Sequence, residues 1–269
     1  MEYLKSLFFI ALLPIIVIGY FIYKADKIEK ESKSILIRVF LGGVLATFIT
    51  LILSGFLEMF IPFFSTENEA NLNLITLIPY YFIGVALIEE FSKWIFVYLF
   101  CWKSKEFNYM YDAIVYCVFA SLGFAALENI LYVVLNGGIG VGIMRSILAV
   151  PGHAFFAVYM GYYLGLSKLT KLKDDEKKSN KYFIYSIIVP VLLHGIYDYL
   201  LSASSISSPL LFFLIFLIFV VLLYVFAIKM VRRISKIKIS MYNNSEKKYC
   251  SNCGTLVENE FCSNCGKKV

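Results

Sequence analysis

Seven apolar segments constrain the fold of this chain of 269 residues, because each could cross a bilayer as a helix. The hydrocarbon core of a membrane is about 30 Å thick, which about 20 apolar residues span as an α-helix. The chain is 60% apolar and 16% charged, whereas a soluble domain is about 45–50% apolar and about 25% charged. We therefore predict an all-α, polytopic bundle of transmembrane helices. The predicted spans are residues 7–23, 35–63, 75–101, 111–135, 143–165, 182–201 and 209–229.

The loops between these spans alternate in charge, which predicts the orientation of the chain. Three loops carry four, two and six Lys or Arg residues, in chain order: 24–34, 102–110 and 166–181. The other three carry none: 64–74, 136–142 and 202–208. Because basic loops stay on the cytoplasmic side, we predict an outer N-terminus and a cytoplasmic C-terminus. The first span has no small-residue cleavage site and is predicted to remain as an anchor.

The third predicted span carries three ionisable residues within one helical turn: Glu89, Glu90 and Lys93, in the stretch LIEEFSKWI. Facing lipid, three charges would cost roughly 8–10 kcal/mol on an insertion scale, so they must face protein or a wet cavity. Lys93 is spaced to reach both carboxylates along a helix, and one glutamate tied to it would leave the other available as a base. The alternative is an ion pair that only fixes helix packing.

Further ionisable residues occur in the fourth, fifth and sixth spans: Glu128, His153, His194 and Asp198. The chain has only two histidines, and an Asp four residues after a His can orient its imidazole. Either histidine alone would be explained as a packed core residue. Four helices that place such groups at similar depth, in the middle to outer part of the bilayer, predict one active site. Two other charged residues are interpreted as interfacial, without a role: Glu58 and Arg145.

Three motifs in these spans fit a known pattern. EEFSK (89–93), FAALE (124–128) and HGIYD (194–198) match EExxK, FxxxE and HxxxD in this order. The set, within residues 75–201, resembles the PrsW-type intramembrane proteases, relatives of the CAAX prenyl-protein endopeptidases. The resemblance implies a membrane peptidase that cuts single-span or otherwise membrane-anchored proteins, of which anti-sigma factors are the best-known type.

The resemblance implies that Glu89 and Glu90 are catalytic. Glu128, His194 and Asp198 would position water or stabilise the tetrahedral intermediate. The complete predicted site comprises Glu89, Glu90, Lys93, Glu128, His153, His194 and Asp198. We prefer a metal-free mechanism in which a glutamate is the general base. The second version is a catalytic Zn²⁺ ion held by donors from Glu89, Glu128, His153 and His194, although no HExxH motif is present.

The C-terminal tail contains a separate metal-binding pattern. Two CxxC motifs, each followed by Gly, supply four cysteines: Cys250, Cys253, Cys262 and Cys265. Four thiolates form a closed structural Zn²⁺ site, and a reducing cytoplasm disfavours the alternative of two disulfides. We therefore predict a zinc ribbon at 249–269, joined to a membrane domain (1–229) by a basic linker (230–248) near anionic headgroups.

The function of the ribbon is open: it could bind a cytoplasmic partner, regulate the enzyme or recruit substrate. The net charge of +6 lies in short runs rather than on one basic face, which argues against nucleic-acid binding. Two other functions for the whole chain are weighed against a protease. A proton- or ion-coupled transporter also keeps acids at mid-membrane, but no inverted repeat is evident. A non-catalytic scaffold with a docking ribbon is the other.

Overall fold

The computed structural model of the protein describes residues 2–237, 241, 248–249, 256–257, 264–265 and 267. These residues are nearly all helical, as predicted. The α-helices are α1 Glu2–Ala25, α2 Lys33–Phe60, α3 Leu77–Pro79, α4 Ile88–Cys101, α5 Met110–Leu131, α6 Gly138–Ile147, α7 Ala149–Lys171, α8 Glu176–Ile206 and α9 Pro209–Ile234. Short 3₁₀-helices occupy Pro62–Phe64 and Thr66–Asn71, and π-helical turns occupy Tyr80–Leu87 and Tyr132–Gly137.

Six helical stretches are long and apolar enough to cross a membrane, so the chain is a multi-pass membrane protein. They are Ser6–Ala25, Lys33–Phe60, Met110–Val134, Gly138–Lys171, Glu176–Ile206 and Pro209–Ile234. The sequence predicts seven spans, which is one more than the six that meet this criterion of length and hydropathy. The extra segment, predicted at 75–101, carries Glu89, Glu90 and Lys93, which make it too polar to qualify. It is nevertheless helical, because α3, the π-helical turn and α4 follow one another without a gap.

The stretch Gly138–Lys171 is broken at Leu148 into α6 and α7. A straight helix of this length would measure about 50 Å at 1.5 Å per residue, well beyond the thickness of the hydrocarbon. Pro151, in the first turn of α7, has no N–H with which to continue the hydrogen bonds of α6. The break lets α6 pack against α1 while α7 packs against α5.

Helix α5 lies at the centre of the bundle, where it packs against α1, α2, α4 and α7. Small residues allow the closest approach. A Cβ atom on Gly43 of α2 would clash with the carbonyl oxygen of Ala120, and one on Gly123 of α5 with that of Phe40. Such contacts between backbones are typical of helices packed within a membrane.

The contact between α4 and α8 brings two of the predicted motifs together. The Trp94 indole of α4 donates a hydrogen bond of 2.9 Å to Ser186 Oγ of α8. Both side chains are buried, and a buried indole N–H needs such a partner. This bond lies one to two turns from Glu90 and His194 and helps to fix their relative position.

The predicted zinc ribbon falls largely outside the described residues. Two short strands, β1 Lys248–Tyr249 and β2 Leu256–Val257, form an antiparallel pair. Cys265 is exposed, whereas Cys250, Cys253 and Cys262 are not among the described residues, so the metal site stays a prediction. Helix α9 continues to Ile234, into the predicted linker 230–248, because basic residues in its last turn favour the negative end of the helix dipole.

Candidate active site

Glu89, Glu90 and Lys93 lie at the start of α4 and form the predicted ion pairs. The Lys93 ammonium is 2.7 Å from Glu90 Oε1 and 3.3 Å from Glu89 Oε2. It also lies 4.1 Å from the centre of the Phe124 ring, within range of a cation–π interaction. Lys93 and Glu90 are fully buried, while Glu89 is 8% exposed. The two carboxylates therefore differ in their access to water.

His194 of α8 is held between two carboxylates. Its Nδ1 is 2.9 Å from Glu90 Oε1, and its Nε2 is 3.1 Å from Asp198 Oδ2. The Phe156 ring stacks on the imidazole with 4.9 Å between centroids. These three contacts fix both the position of the ring and the direction of its nitrogens.

His153 of α7 is oriented in the same manner. Its Nδ1 is 3.1 Å from the Lys93 ammonium, and its Nε2 is 2.9 Å from Glu128 Oε2. Its backbone carbonyl accepts a 2.9 Å hydrogen bond from Ser121 Oγ of α5. Both histidines thus present Nδ1 to the α4 charges and are held at Nε2 by a carboxylate. The structure brings all seven predicted residues together.

Arg145 of α6, which is interpreted from the sequence as interfacial and without a role, is in contact with this cluster. Its Nη2 is 2.7 Å from Glu128 Oε2, and its Nε donates a 2.9 Å hydrogen bond to Asn129 Oδ1. Asn129 Nδ2 in turn donates to the Ala11 carbonyl of α1 at 2.9 Å. The sequence did contain a signal, since Glu128 lacks a basic neighbour on its own helix. Arg145 is the sole Lys or Arg between residues 136 and 165.

A cavity of about 270 Å³ adjoins the cluster. At about 30 Å³ per water molecule, it has room for several. Glu89 lines the cavity, whereas Glu90 and Lys93 lie behind its wall. Its lining comprises Thr66, Glu69, Tyr80, Tyr81, Val85, Glu89, Glu128, Tyr132, Arg145, Ala149, His153, Phe156, His194, Tyr197 and Asp198.

One wall of the cavity comes from the connection between α2 and α3, which sequence reasoning treated only as a loop. Thr66 and Glu69 of its second 3₁₀-helix line the cavity. The Tyr81 hydroxyl of the π-helical turn donates to Glu69. These contacts form only when the loop folds onto the helices, and no local sequence motif predicts them.

Four residues are close enough to share one metal ion: Glu89, Glu90, His153 and His194. One donor atom of each lies within 4.8 Å of the others. Imidazole and carboxylate are acceptable zinc ligands. This set differs from the predicted one, because Glu90 replaces Glu128. Glu128 instead pairs with Arg145 and with the outward nitrogen of His153.

Most of the chain is similar to known proteins. Residues 31–226 match the family described as "PrsW family intramembrane metalloprotease", so the C-terminal tail lies outside the match. Protease PrsW of Geobacillus kaustophilus is 41% identical over 186 residues, which is 69% of this chain and 75% of that protein. Its namesake in Halalkalibacterium halodurans is 36% identical over 196 residues, or 73% of this chain and 83% of that protein.

Protease PrsW of Bacillus subtilis is 33% identical over 191 residues, covering 71% of this chain and 80% of that protein. No solved structure matches the chain. The family match extends over far more than half of the sequence, and the buried acids and imidazoles lie within the matched region. The chain belongs to the PrsW family and is an intramembrane protease.

Proposed function

We propose that the enzyme hydrolyses a peptide bond of a single-span or membrane-anchored protein, such as an anti-sigma factor, with water activated by Glu89. The main support is that Glu89 lines the cavity. The adjacent carboxylate, Glu90, is fully buried and engaged with Lys93 and His194. Transport and scaffolding are not favoured, since the relatives are named as proteases.

Each group has a distinct task in this proposal. Glu89 takes a proton from the attacking water as general base. Lys93 compensates the charge of both glutamates, so two neighbouring carboxylates can be buried together. In a metal-free mechanism, His194, which Asp198 orients and which lines the cavity, would give a proton to the leaving amine.

The family is described as one of intramembrane metalloproteases, whereas the sequence alone favours a metal-free mechanism. The donor set fits a metal, since both histidines present Nδ1 to the cluster and are held at Nε2 by a carboxylate. That is the usual arrangement of metal-binding histidines. We therefore propose that Glu90, His153 and His194 hold the ion, because two His and one Glu form a known catalytic zinc set.

When bound, a zinc ion would polarise the scissile carbonyl and acidify its water. His153 Nδ1 would exchange its contact with the Lys93 ammonium for the ion, whereas Lys93 would keep Glu90 Oε1, because Glu90 Oε2 has no other partner and would hold the ion. Glu89 then remains the carboxylate that faces the water. The Glu128–Arg145 pair holds His153 from the opposite side.

We propose an orientation with the C-terminus in the cytoplasm and the cavity open to the outer side. Thr66 and Glu69, which line the cavity, belong to a loop without Lys or Arg. A test substrate with one span and tags at both ends, co-expressed with the enzyme, should be cut in the outer half of its span. Cuts that map to the cytoplasmic boundary would contradict this orientation.

Arg145 is proposed as a positioning residue that holds Glu128, the carboxylate partner of His153, and Arg145→Met should lower kcat by at most about 10–100-fold, the usual effect of losing that carboxylate partner itself. KM should change little, the melting temperature should fall because the largely buried Glu128 loses its ion-pair partner, and Arg145→Lys should recover part of the activity. Steady-state kinetics in detergent micelles would measure this. Arg232→Met, at an exposed position of α9, is the control. A kcat equal to that of the wild type would exclude the role.

The tail is proposed to bind one structural zinc ion through Cys250, Cys253, Cys262 and Cys265. Replacing Cys250 and Cys253 by Ser should lower the zinc content of the purified protein by one ion per chain, measured by elemental analysis. Cys101→Ser and Cys117→Ser are matched controls, because these cysteines are buried in α4 and α5. Equal zinc contents in all these variants would refute the ribbon. A cytoplasmic partner for it, and the relation to CAAX endopeptidases, stay predictions.

A further inference from the structure

Three buried carboxylates lie together at the end of α5 that is remote from the active site. Asp26 and Glu31 belong to the α1–α2 connection, and Asp112 lies in the first turn of α5. They are 4%, 7% and 1% exposed, and one oxygen of each lies within 4.8 Å of the others. Asp112 and Glu128 are separated along α5 by about 24 Å, at 1.5 Å per residue. The cluster is therefore a separate site.

Two of these carboxylates are partly satisfied by protein donors. Asp112 Oδ2 accepts hydrogen bonds from the backbone N–H groups of Asn108, at 2.8 Å, and Tyr109, at 2.6 Å. Glu31 Oε2 accepts a hydrogen bond from the Tyr116 hydroxyl. These bonds hold the two side chains in place but supply no positive charge.

One carboxylate oxygen of Asp26 lacks a partner. Its Oδ1 accepts a 3.2 Å hydrogen bond from the Ile28 N–H, while its Oδ2 is enclosed and has no hydrogen-bond partner. The Lys30 ammonium donates to the backbone carbonyls of Tyr23 and Asp26 instead. Within the part of the chain that the structure describes, no Lys, Arg or His forms an ion pair with any of the three carboxylates.

Buried like charges are costly unless a cation or protons neutralise them. An ion would remove this conflict and would also give the enclosed Asp26 Oδ2 a partner. The separation of the oxygens is compatible, because two ligands of Ca²⁺ at about 2.4 Å each are at most about 4.8 Å apart.

We propose that Asp26, Glu31 and Asp112 bind a hard divalent cation, Ca²⁺ or Mg²⁺. Carboxylate oxygens without nitrogen or sulfur donors are the ligands that these ions prefer. The bound ion ties the α1–α2 connection to the N-terminal end of α5. It therefore braces the helix whose other end carries Glu128, without taking part in catalysis.

The test is calorimetric titration of the metal-depleted, full-length protein in lipid nanodiscs with Ca²⁺ and, separately, with Mg²⁺. At least one of them should bind at one ion per chain. Asp26→Asn and Glu31→Gln should each weaken that binding about tenfold or more, as the loss of one charged ligand requires. Glu67→Gln, an exposed position in the α2–α3 connection, and Glu90→Gln, at the active site, should leave it unchanged.

The absence of saturable binding of either ion to the wild type at millimolar concentration would overturn the proposal. So would binding that Asp26→Asn and Glu31→Gln leave unchanged. Gel filtration checks that each variant is folded. If Glu31→Gln is not, Asp26→Asn decides, because Asn keeps an oxygen for the Ile28 N–H and the other carboxylate oxygen has no hydrogen bond to lose.

Discussion

Replacing Glu89 by Gln is expected to reduce cleavage of a membrane-anchored substrate by about 10²–10⁴-fold, the usual contribution of a general base. Glutamine fills the same volume but cannot take a proton from water. The fold should survive, because Lys93 keeps its 2.7 Å contact with Glu90. Steady-state cleavage by the purified protein measures the effect. Glu67→Gln, on the exposed loop near the cavity, should behave as the wild type.

Replacing Glu90 by Gln is expected to distinguish the roles of the two glutamates. Cleavage should again be lost, and the melting temperature should fall as well. The reason is that the buried Lys93 and His194 side chains both lose the carboxylate that they share. Breaking a buried ion pair typically costs about 3–5 kcal/mol. Retained activity in both single variants would remove the glutamates from the mechanism.

Removal of metal is the second change with a large expected effect. In the full-length protein with all four tail cysteines replaced by Ser, chelation should abolish cleavage, and added Zn²⁺ should restore it. Restoration should fail in the same protein carrying His194→Ala, because one of the three proposed ligands is absent. The cysteine replacements matter, since zinc lost from the tail would otherwise confuse the measurement.

Full activity in that protein, at a zinc content far below one ion per chain, would contradict the metal-assisted version. It would return the mechanism to the metal-free one, in which Glu89 acts as base beside Lys93. His194, His153 and the carboxylates that contact them would then act only in proton transfer and orientation. Both versions keep Glu89 at the cavity.

Local spacing explains why much of the site was predictable. Lys93 reaches Glu89 and Glu90, and His194 reaches Asp198, through helical spacing alone. Because exposing these charges to lipid is costly, the helical turns that carry them are expected to face one another inside the bundle. The sequence does not predict which of these side chains contact one another, because the Glu90–His194 contact joins residues more than a hundred positions apart.

The features that were missed depend on how the chain is bent. Arg145 reaches Glu128 because the helix breaks at Leu148 and α6 folds back onto α1. The length of the apolar run suggested one span with an arginine at its edge. Likewise, Glu90 rather than Glu128 joins the metal-donor group, since Glu128 is already paired with Arg145. Periodicity identifies a helix but not its crossing or its kink.

Mass spectrometry of a single-span substrate incubated in liposomes with the purified enzyme tests the central claim most directly. The wild type should yield two fragments whose masses sum to that of the substrate plus one water, and the Glu89→Gln variant should yield neither. Intact substrate with the wild type, or the same two fragments with the variant, would contradict the account.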